Sequence, residues 1–236
     1  MIFIVRQIIE KCHEHRSKAF LVFVDLRKAY DSMPRAALWL VLRKLGVPDH
    51  LVQLLQSFHD NMTATIIVNG SPADAIPVCN GLRQGGTMAP GLFNLFAAAV
   101  MERRADRIRE HGLCGLPLRC RVDGQLFKCL SKGGTDCSVK DGEFADDAVL
   151  FATTHCDAQD MLAEFVDVAG AFGLTVNMVK TLFMAVGYGV TDNDRSSLVI
   201  RNAQVQHTAR FPYLGSIVSS DGRCHADVCN RIAAAS

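Results

Sequence analysis

Six consecutive apolar residues, Ala19-Phe-Leu-Val-Phe-Val24, run without a polar side chain into Asp25. A continuous run of this kind predicts a central strand buried on both faces, with the carboxylate standing at the strand end. Such a strand needs a layer of structure on each side. A chain of 236 residues with 49% hydrophobic content can supply one substantial core, so one large domain is expected, with two small ones as the alternative.

A second acidic strand end lies further along, where Phe144 and the run from Ala148 to Thr153 flank Asp146-Asp147 as two short strands around a tight turn. Taken singly, an Asp-Asp pair in a hairpin is ordinary turn chemistry, and a lone strand-end aspartate says little more. Together they mean more, because solvated carboxylates gain nothing from placement against residues buried in a sheet. Asp25 with Asp146 and Asp147 fits a hard divalent site, since Mg²⁺ takes oxygen ligands from one or two carboxylates and fills its other positions with water and substrate phosphates. Two such ions about 4 Å apart would stabilise the attacking and leaving oxygens of an in-line phosphoryl transfer.

Around these strands the chain alternates helices with short extended segments. Ile2, Val5, Ile9 and Cys12, with Ile8 beside them, recur at helical spacing and predict an opening amphipathic helix. Pro34 opens a helix that Gly46 closes, and Pro48-Asp49 starts another that reaches Phe58. The stretches 63–68 and 73–78 flank Asn69-Gly70 as a hairpin. Residues 80–86 form a glycine-bearing loop, followed by a helix over 91–110 that carries Leu92, Leu95, Phe96, Ala99 and Val100 inward. A second hairpin is expected from 118–122 and 125–130 around Asp123-Gly124, with 131–141 as a loop. An amphipathic helix over 160–172 is stopped by Gly173, and 174–176, 182–186 and 217–219 are strand-like.

Several function classes drop out. The longest apolar runs fall far short of the roughly 20 residues that cross a bilayer, and the N-terminus lacks the flank and apolar stretch of a signal peptide, so an intracellular protein without membrane contact is expected. The nine cysteines include no Cys-x-x-Cys pair, and Cys224, His225 and Cys229 lack a fourth ligand, so they read as helix-start residues rather than a metal site. The net charge of +1 gives little overall field for a polyanion, which leaves phosphate contacts to basic residues gathered in one groove.

Five stretches, in order, carry a specific resemblance: Val24-Asp-Leu-Arg-Lys-Ala-Tyr-Asp31, Gly81-Leu-Arg-Gln-Gly85, Phe144-Ala-Asp-Asp147, Gly173-Leu-Thr-Val-Asn177 with Lys180-Thr181, and Phe211-Pro-Tyr-Leu-Gly215. The chain resembles a reverse transcriptase of the non-LTR, LINE-like retrotransposon type. The resemblance runs from about Phe3 to Ile232. It implies an α/β (α+β) right-hand polymerase palm with partial fingers over 1–219, a mixed, mainly antiparallel sheet packed on helices, and the truncated start of a thumb or connection helix over 220–236. In the family pattern Asp25 and Asp146 are the principal ligands of two Mg²⁺ ions, for which Mn²⁺ can substitute, with Asp147 auxiliary and the Leu26 carbonyl helping the second ion. Tyr30 matches the aromatic residue under the incoming sugar that excludes a 2′-hydroxyl. Gln84 and Gly85 match the loop lining the nucleotide pocket, where Arg83 could reach phosphate or template. Lys180 matches a lysine near the leaving pyrophosphate, and Phe211, Tyr213, Leu214 and Gly215 match the segment that holds the primer end.

The implied partners are an RNA template, a DNA primer and deoxynucleoside triphosphates, with the nucleus and cytoplasm as the compartments of the parent element. Where the family loop usually continues Cys-Pro-Leu-Ser-Pro, this chain has Gly86-Thr-Met-Ala-Pro90. Most of the fingers, the thumb and the endonuclease lie outside these 236 residues, so the chain reads as part of a longer frame and is expected to be inactive alone. Two rivals remain at this point. One is an RNA-dependent RNA polymerase, disfavoured by Phe144-Ala-Asp-Asp147 and Tyr30; the other is a non-catalytic nucleic-acid-binding remnant, disfavoured by the intact aspartates.

Overall fold

The computed structural model describes residues 1–83, 85–121, 134–144 and 147–235. Elements follow in the order α1 (Ile2–Glu14), β1 (Lys18–Asp25), α2 (Ala29–Ser32), α3 (Arg35–Lys44), α4 (Asp49–Ser57), β2 (Thr63–Ala64), β3 (Ile67–Val68), β4 (Ser71–Pro72), β5 (Ile76–Pro77) and α5 (Ala89–Glu110). Then come β6 (Leu116–Arg121), β7 (Gly134–Val139), β8 (Asp141–Phe144), β9 (Asp147–Ala152), α6 (His155–Ala171), β10 (Leu182–Gly187), β11 (Leu198–Ile200), β12 (Ala203–His207), β13 (Arg210–Tyr213), β14 (Ser216–Ser219) and α7 (His225–Ala235). Contacts divide the chain into two compact units, the first comprising Met1–Asp25, Arg107–Phe165 and Val176–Ser236, the second Leu26–Asp106 and Val166–Thr175.

The first unit is built on a six-stranded sheet in the order β11-β12-β10-β1-β9-β8. As its apolar run predicts, β1 is central, antiparallel to β10 on one side and to β9 on the other. All six residues from Ala19 to Val24 are buried, which is possible only because both faces are covered. On one face Leu21 and Phe23 pack with Val149, Phe151 and Met184 under the buried side of α1, formed by Val5, Ile8, Ile9 and Cys12. Each large side chain removed from water in this way contributes roughly 1.5–3 kcal/mol. On the other face His155, at the start of α6, lies edge-on to Phe20 and Phe183. Thr154 caps α6 by accepting a hydrogen bond from the Asp157 N–H at 3.1 Å.

The hairpin β13–β14 closes over the α1 face, contributing Tyr213 and Val218 to the same core. It is pinned by a buried carboxylate on α7. Asp227 accepts hydrogen bonds from the Ile217 N–H (2.8 Å), Arg6 (2.9 Å) and Arg231 (3.2 Å). These donors hold its carboxyl well below the usual carboxylate range, the Ile217 amide above all.

The second unit holds α2, α3, α4, most of α5 and the hairpin that runs through β2–β5 and β3–β4. Asn69 and Gly70 turn this hairpin with φ of 50° and 81°, the positive values that an Asn-Gly turn supplies. Gly173 ends the helix preceding it at φ 81°, as expected.

Three expectations need correction. Leu95 is 42% exposed, whereas Phe93 is buried. The buried stripe of α5 runs through Ala89, Leu92, Phe93, Phe96 and Val100, at i, i+3, i+4 and i+7 spacing, and Leu95 falls off it. Residues 134–139 form strand β7, not a loop, because their backbone pairs with β6 from Leu116↔Val139 to Arg121↔Gly134. The Asp123-Gly124 turn and the strand expected over 125–130 lie outside the described residues. Residues 174–176 do not form a strand; Leu174 and Val176 are buried, and the Thr175 carbonyl accepts the Arg27 N–H at 2.8 Å. Strands β11 and β12 were not anticipated, and β12 joins the sheet parallel to β10.

Candidate active site

The residues singled out by sequence fall into two sets, one in each unit. In the first unit, register brings two carboxylates face to face: Asp25, last in β1, is the direct partner of Asp147, first in β9. Directly opposed residues of an antiparallel pair share a face with their Cβ atoms about 4.5–5.5 Å apart, and like charges there repel. An oxygen-seeking divalent cation turns that repulsion into shared attraction. Asp146 lies outside the described residues.

Two backbone contacts fix the end of β1. The Asp25 carbonyl accepts the Asn177 N–H at 2.8 Å, and its own N–H donates to the Thr181 hydroxyl at 3.3 Å. The turn carrying Lys180 is therefore tied to the strand carrying the carboxylate. Asn177 and Thr181 had been noted only as members of a motif; their role rests on long-range backbone contacts that sequence spacing does not display.

A cleft of about 330 Å³ opens over this ladder, lined by Asp25, Asp147, Lys180, Phe211 and Tyr213 among others. Its floor is aromatic. Phe23, two residues before Asp25 on the same face, stacks on Phe211 with centroids 4.3 Å apart and planes at 18°, and lies 5.6 Å from the Tyr213 ring. Tyr213 is 2% exposed, and its hydroxyl has no hydrogen-bond partner among the described residues. Burial, with the Asp147 carboxylate as the second cause, pushes its phenol up to about 12, so it stays a neutral donor. A buried donor without a partner, beside two carboxylates and an exposed lysine, is the arrangement of a ligand site with few polar groups on apolar walls. Leu214 and Gly215 form the turn between β13 and β14, both at positive φ (48° and 74°).

In the second unit Tyr30 lies in α2 and stacks on Phe93 of α5, with centroids 4.3 Å apart and planes at 20°. The loop after β5 returns to this turn: the Gly81 N–H donates to the Met33 carbonyl and the Leu82 N–H to the Tyr30 carbonyl, both at 2.9 Å. Gly81 has φ 79°, and a Cβ on it would stand 2.5 Å from the Asp31 carbonyl oxygen, so only glycine permits this approach. Leu82 is buried, Arg83 is exposed, and Gly85 has φ 82° with open space where a Cβ would point. Leu26 is partly buried, and Gln84 lies outside the described residues. Phe93 as the partner of Tyr30 is a contact that sequence reasoning missed.

Among the described residues no helix is long and apolar enough to cross a membrane, and no group of three or more His, Cys, Asp or Glu is placed to hold a metal. The donors present at the cleft are two hard carboxylate oxygens, a set that suits Mg²⁺ completed by water and phosphate rather than a soft metal.

The family profile described as Reverse transcriptase (RNA-dependent DNA polymerase) matches residues 3–218. The chain is 24% identical over 231 residues to the retrovirus-related Pol polyprotein from type-2 retrotransposable element R2DM of Drosophila melanogaster, covering 93% of this chain and 19% of that protein. It is 24% identical over 216 residues to the corresponding polyprotein from type-1 retrotransposable element R2 of Popillia japonica (89% and 32%). It is 22% identical over 211 residues to the RNA-directed DNA polymerase from mobile element jockey of Drosophila funebris (87% and 20%). The chain thus spans between a fifth and a third of the length of these relatives. Among solved structures it is similar to telomerase from Candida tropicalis (TM-score 0.56, 10% identity, 95% of this chain and 32% of that one). Telomerase from Candida albicans gives TM-score 0.54 and 12% identity, over 93% of this chain and 34% of that one. At such identities the likeness shows the fold, the mixed α/β polymerase palm expected from the sequence.

Proposed function

Because the chain belongs to the reverse transcriptase (RNA-dependent DNA polymerase) family, we propose that it is the nucleotidyl-transfer palm of a longer retrotransposon polyprotein, with a remnant of the fingers over 1–219 and the start of a thumb over 220–236. The observation that carries this reading is the register that sets Asp25 opposite Asp147 on the floor of a cleft also lined by Lys180. Asp25 and Asp147, together with Asp146, would hold Mg²⁺, or Mn²⁺ in its place. The ions would supply charge stabilisation to the attacking and leaving oxygens of an in-line phosphoryl transfer.

The remaining roles belong to the chain itself. Lys180 offers a cation, or a proton, to the leaving pyrophosphate. Phe211 and Tyr213 give the primer end an apolar bed and a hydrogen-bond donor, and the Leu214-Gly215 turn sets where that hairpin ends. Tyr30, fixed by Phe93, excludes a 2′-hydroxyl; Gly85 lets backbone approach the nucleotide, Arg83 and Gln84 contact it, and the Leu26 carbonyl helps the second ion. The substrates are an RNA template, a DNA primer and deoxynucleoside triphosphates, and the parent element acts in the nucleus and cytoplasm. The family match favours this reading over RNA-dependent RNA synthesis or a non-catalytic remnant.

The test is primer extension on poly(rA)-oligo(dT) with dTTP and Mg²⁺ or Mn²⁺, comparing this chain with one extended through the fingers and thumb of its parent frame. The extended chain is expected to polymerise and the 236-residue chain to be inactive or nearly so, since alignment alone contributes on the order of 7–11 kcal/mol to such steps. Robust synthesis by the short chain would overturn the fragment reading. In the extended chain Asp146→Asn should lower extension by at least about a thousandfold, equivalent to about 4 kcal/mol. Unchanged extension would remove the carboxylates from the chemistry. Tyr30→Ala should raise ribonucleotide incorporation, and an unaltered sugar preference would take Tyr30 out of the pocket.

A further inference from the structure

Arg35 opens α3, and its guanidinium is enclosed by acceptors from the second unit alone. Its Nε donates to the Gly81 carbonyl at 2.8 Å. One terminal nitrogen donates to the carbonyls of His59 (2.8 Å) and Val78 (3.0 Å), the other to the Asn80 carbonyl (3.3 Å) and the Met62 sulfur (3.4 Å). A guanidinium has five N–H donors, and here each has an acceptor. None of the five acceptors is a carboxylate: three are backbone carbonyls of the segment from Val78 to Gly81, the fourth is the His59 carbonyl and the fifth is the Met62 sulfur. The same segment is tied to the Tyr30 turn by the amides of Gly81 and Leu82, which bond to the carbonyls of Met33 and Tyr30. Gly81, the residue common to both sets of bonds, has no room for a Cβ against Asp31.

We propose that Arg35 is a positioning residue that locks the segment from Val78 to Leu82, which leads to Arg83, onto the Tyr30 turn, so that selection of the deoxyribose sugar depends on a guanidinium acting through Gly81 rather than on the nucleotide. The functional half of this proposal rests on the reverse transcriptase reading above; the mechanical half does not. Lysine separates the two properties of the side chain. Arg35→Lys keeps the charge but offers three donors from a point, which cannot reach acceptors arranged around a planar fork. If charge alone mattered, the lysine variant would behave as wild type.

Two measurements decide it. In the 236-residue chain, amide exchange is followed in wild type and Arg35→Lys, with Trp39 emission checking the fold, since this sole tryptophan lies in the same helix and packs edge-on against His59 at 5.6 Å. The Gly81 and Leu82 amides should exchange at least about tenfold faster in the variant, while the β1 amides of Leu21 and Val22 stay within about twofold. Equal acceleration at all four amides, no acceleration, or a variant that does not fold would show a residue of the general fold and overturn the proposal. In the extended, polymerising chain, Arg35→Lys should raise KM for dNTP about tenfold and narrow deoxyribonucleotide preference by a similar factor, with kcat within about threefold. A wild type that discriminates sugars beside a variant with the same KM and preference would overturn the functional half. A wild type that does not polymerise would instead sink the reverse transcriptase reading, and the exchange result would still settle whether Arg35 couples loop and turn.

Discussion

The two sets of candidate site residues are held in place by different physics. Asp25 and Asp147 are fixed by the ladder of a sheet whose central strand is buried on both faces, with an aromatic floor beneath them. Tyr30 and the segment from Val78 to Leu82 that leads to Arg83 are fixed by a short helix, one glycine at positive φ and a single guanidinium among carbonyls. The first arrangement is redundant: many apolar contacts place each carboxylate, and losing one methyl group moves none of them far. The second is thinner, resting on a few hydrogen bonds, the Tyr30–Phe93 stack and the buried Leu82. On the function proposed above both would serve, because ions need fixed ligands while a nucleotide loop must admit and release its substrate.

Mutations can break this contrast. Phe23→Ala should have the largest effect on stability, about 3–5 kcal/mol by urea denaturation, since it removes a buried ring stacked on Phe211 and packed on Tyr213. A cost below about 1 kcal/mol would mean that the aromatic floor does not support the carboxylates and that the sheet set is no more redundant than the loop. Next come two glycines with matched backbones. Gly70→Ala, at φ 81° with open space around it, should cost only the left-handed strain, about 1–2 kcal/mol. Gly81→Ala, at φ 79°, also drives a Cβ into the Asp31 carbonyl and should cost about 1–3 kcal/mol more. Equal costs would show that the loop can step back from the Tyr30 turn, and the placement would not be tight.

Acid gives the smallest and most selective effect. Asp227 has a depressed folded-state pKa, so its contribution is complete above the ordinary aspartate value near 3.9 and declines as the pH falls below it toward the folded value. Protection of the Ile217 amide, its own donor, should therefore fall between pH 5 and pH 3 after correction for intrinsic exchange, and in Asp227→Asn it should not vary over that window. The acceptors around Arg35 are carbonyls and a thioether, which do not titrate, so Gly81 and Leu82 should keep their protection. A parallel fall at all three amides would dissolve the distinction between the two regions.

This difference also explains what could be read from the sequence. The run Ala19–Val24 announces its own burial, and an aspartate at its end announces a site, because period and polarity are visible one residue at a time. Helices α1, α3 and α4 were legible for the same reason. Strands β11 and β12 were not, since three to five residues with mixed polarity give no period to recognise. On α5 the sequence reading placed Leu95 inward, whereas the buried stripe takes in Phe93, which stacks on the Tyr30 ring. Arg35 was the least legible: an arginine after a proline looks like any solvated helix start, and four of its five acceptors are backbone carbonyls, which side-chain identity does not reveal.

The long-range pairing of β1 has a consequence for how the chain is made. Its two neighbours, β9 and β10, lie far downstream, so a ribosome releases this strand with both apolar faces and both hydrogen-bonding edges bare. At about 5–20 residues per second, β9 follows by roughly 120 residues and therefore on the order of ten seconds later. During that interval Ala19–Val24 is an uncharged, proline-free segment of high β-propensity, the composition from which intermolecular sheets nucleate. Yield of soluble protein should thus depend on elongation speed and on chaperones that shield nascent apolar strands, more than on the equilibrium stability of the finished sheet.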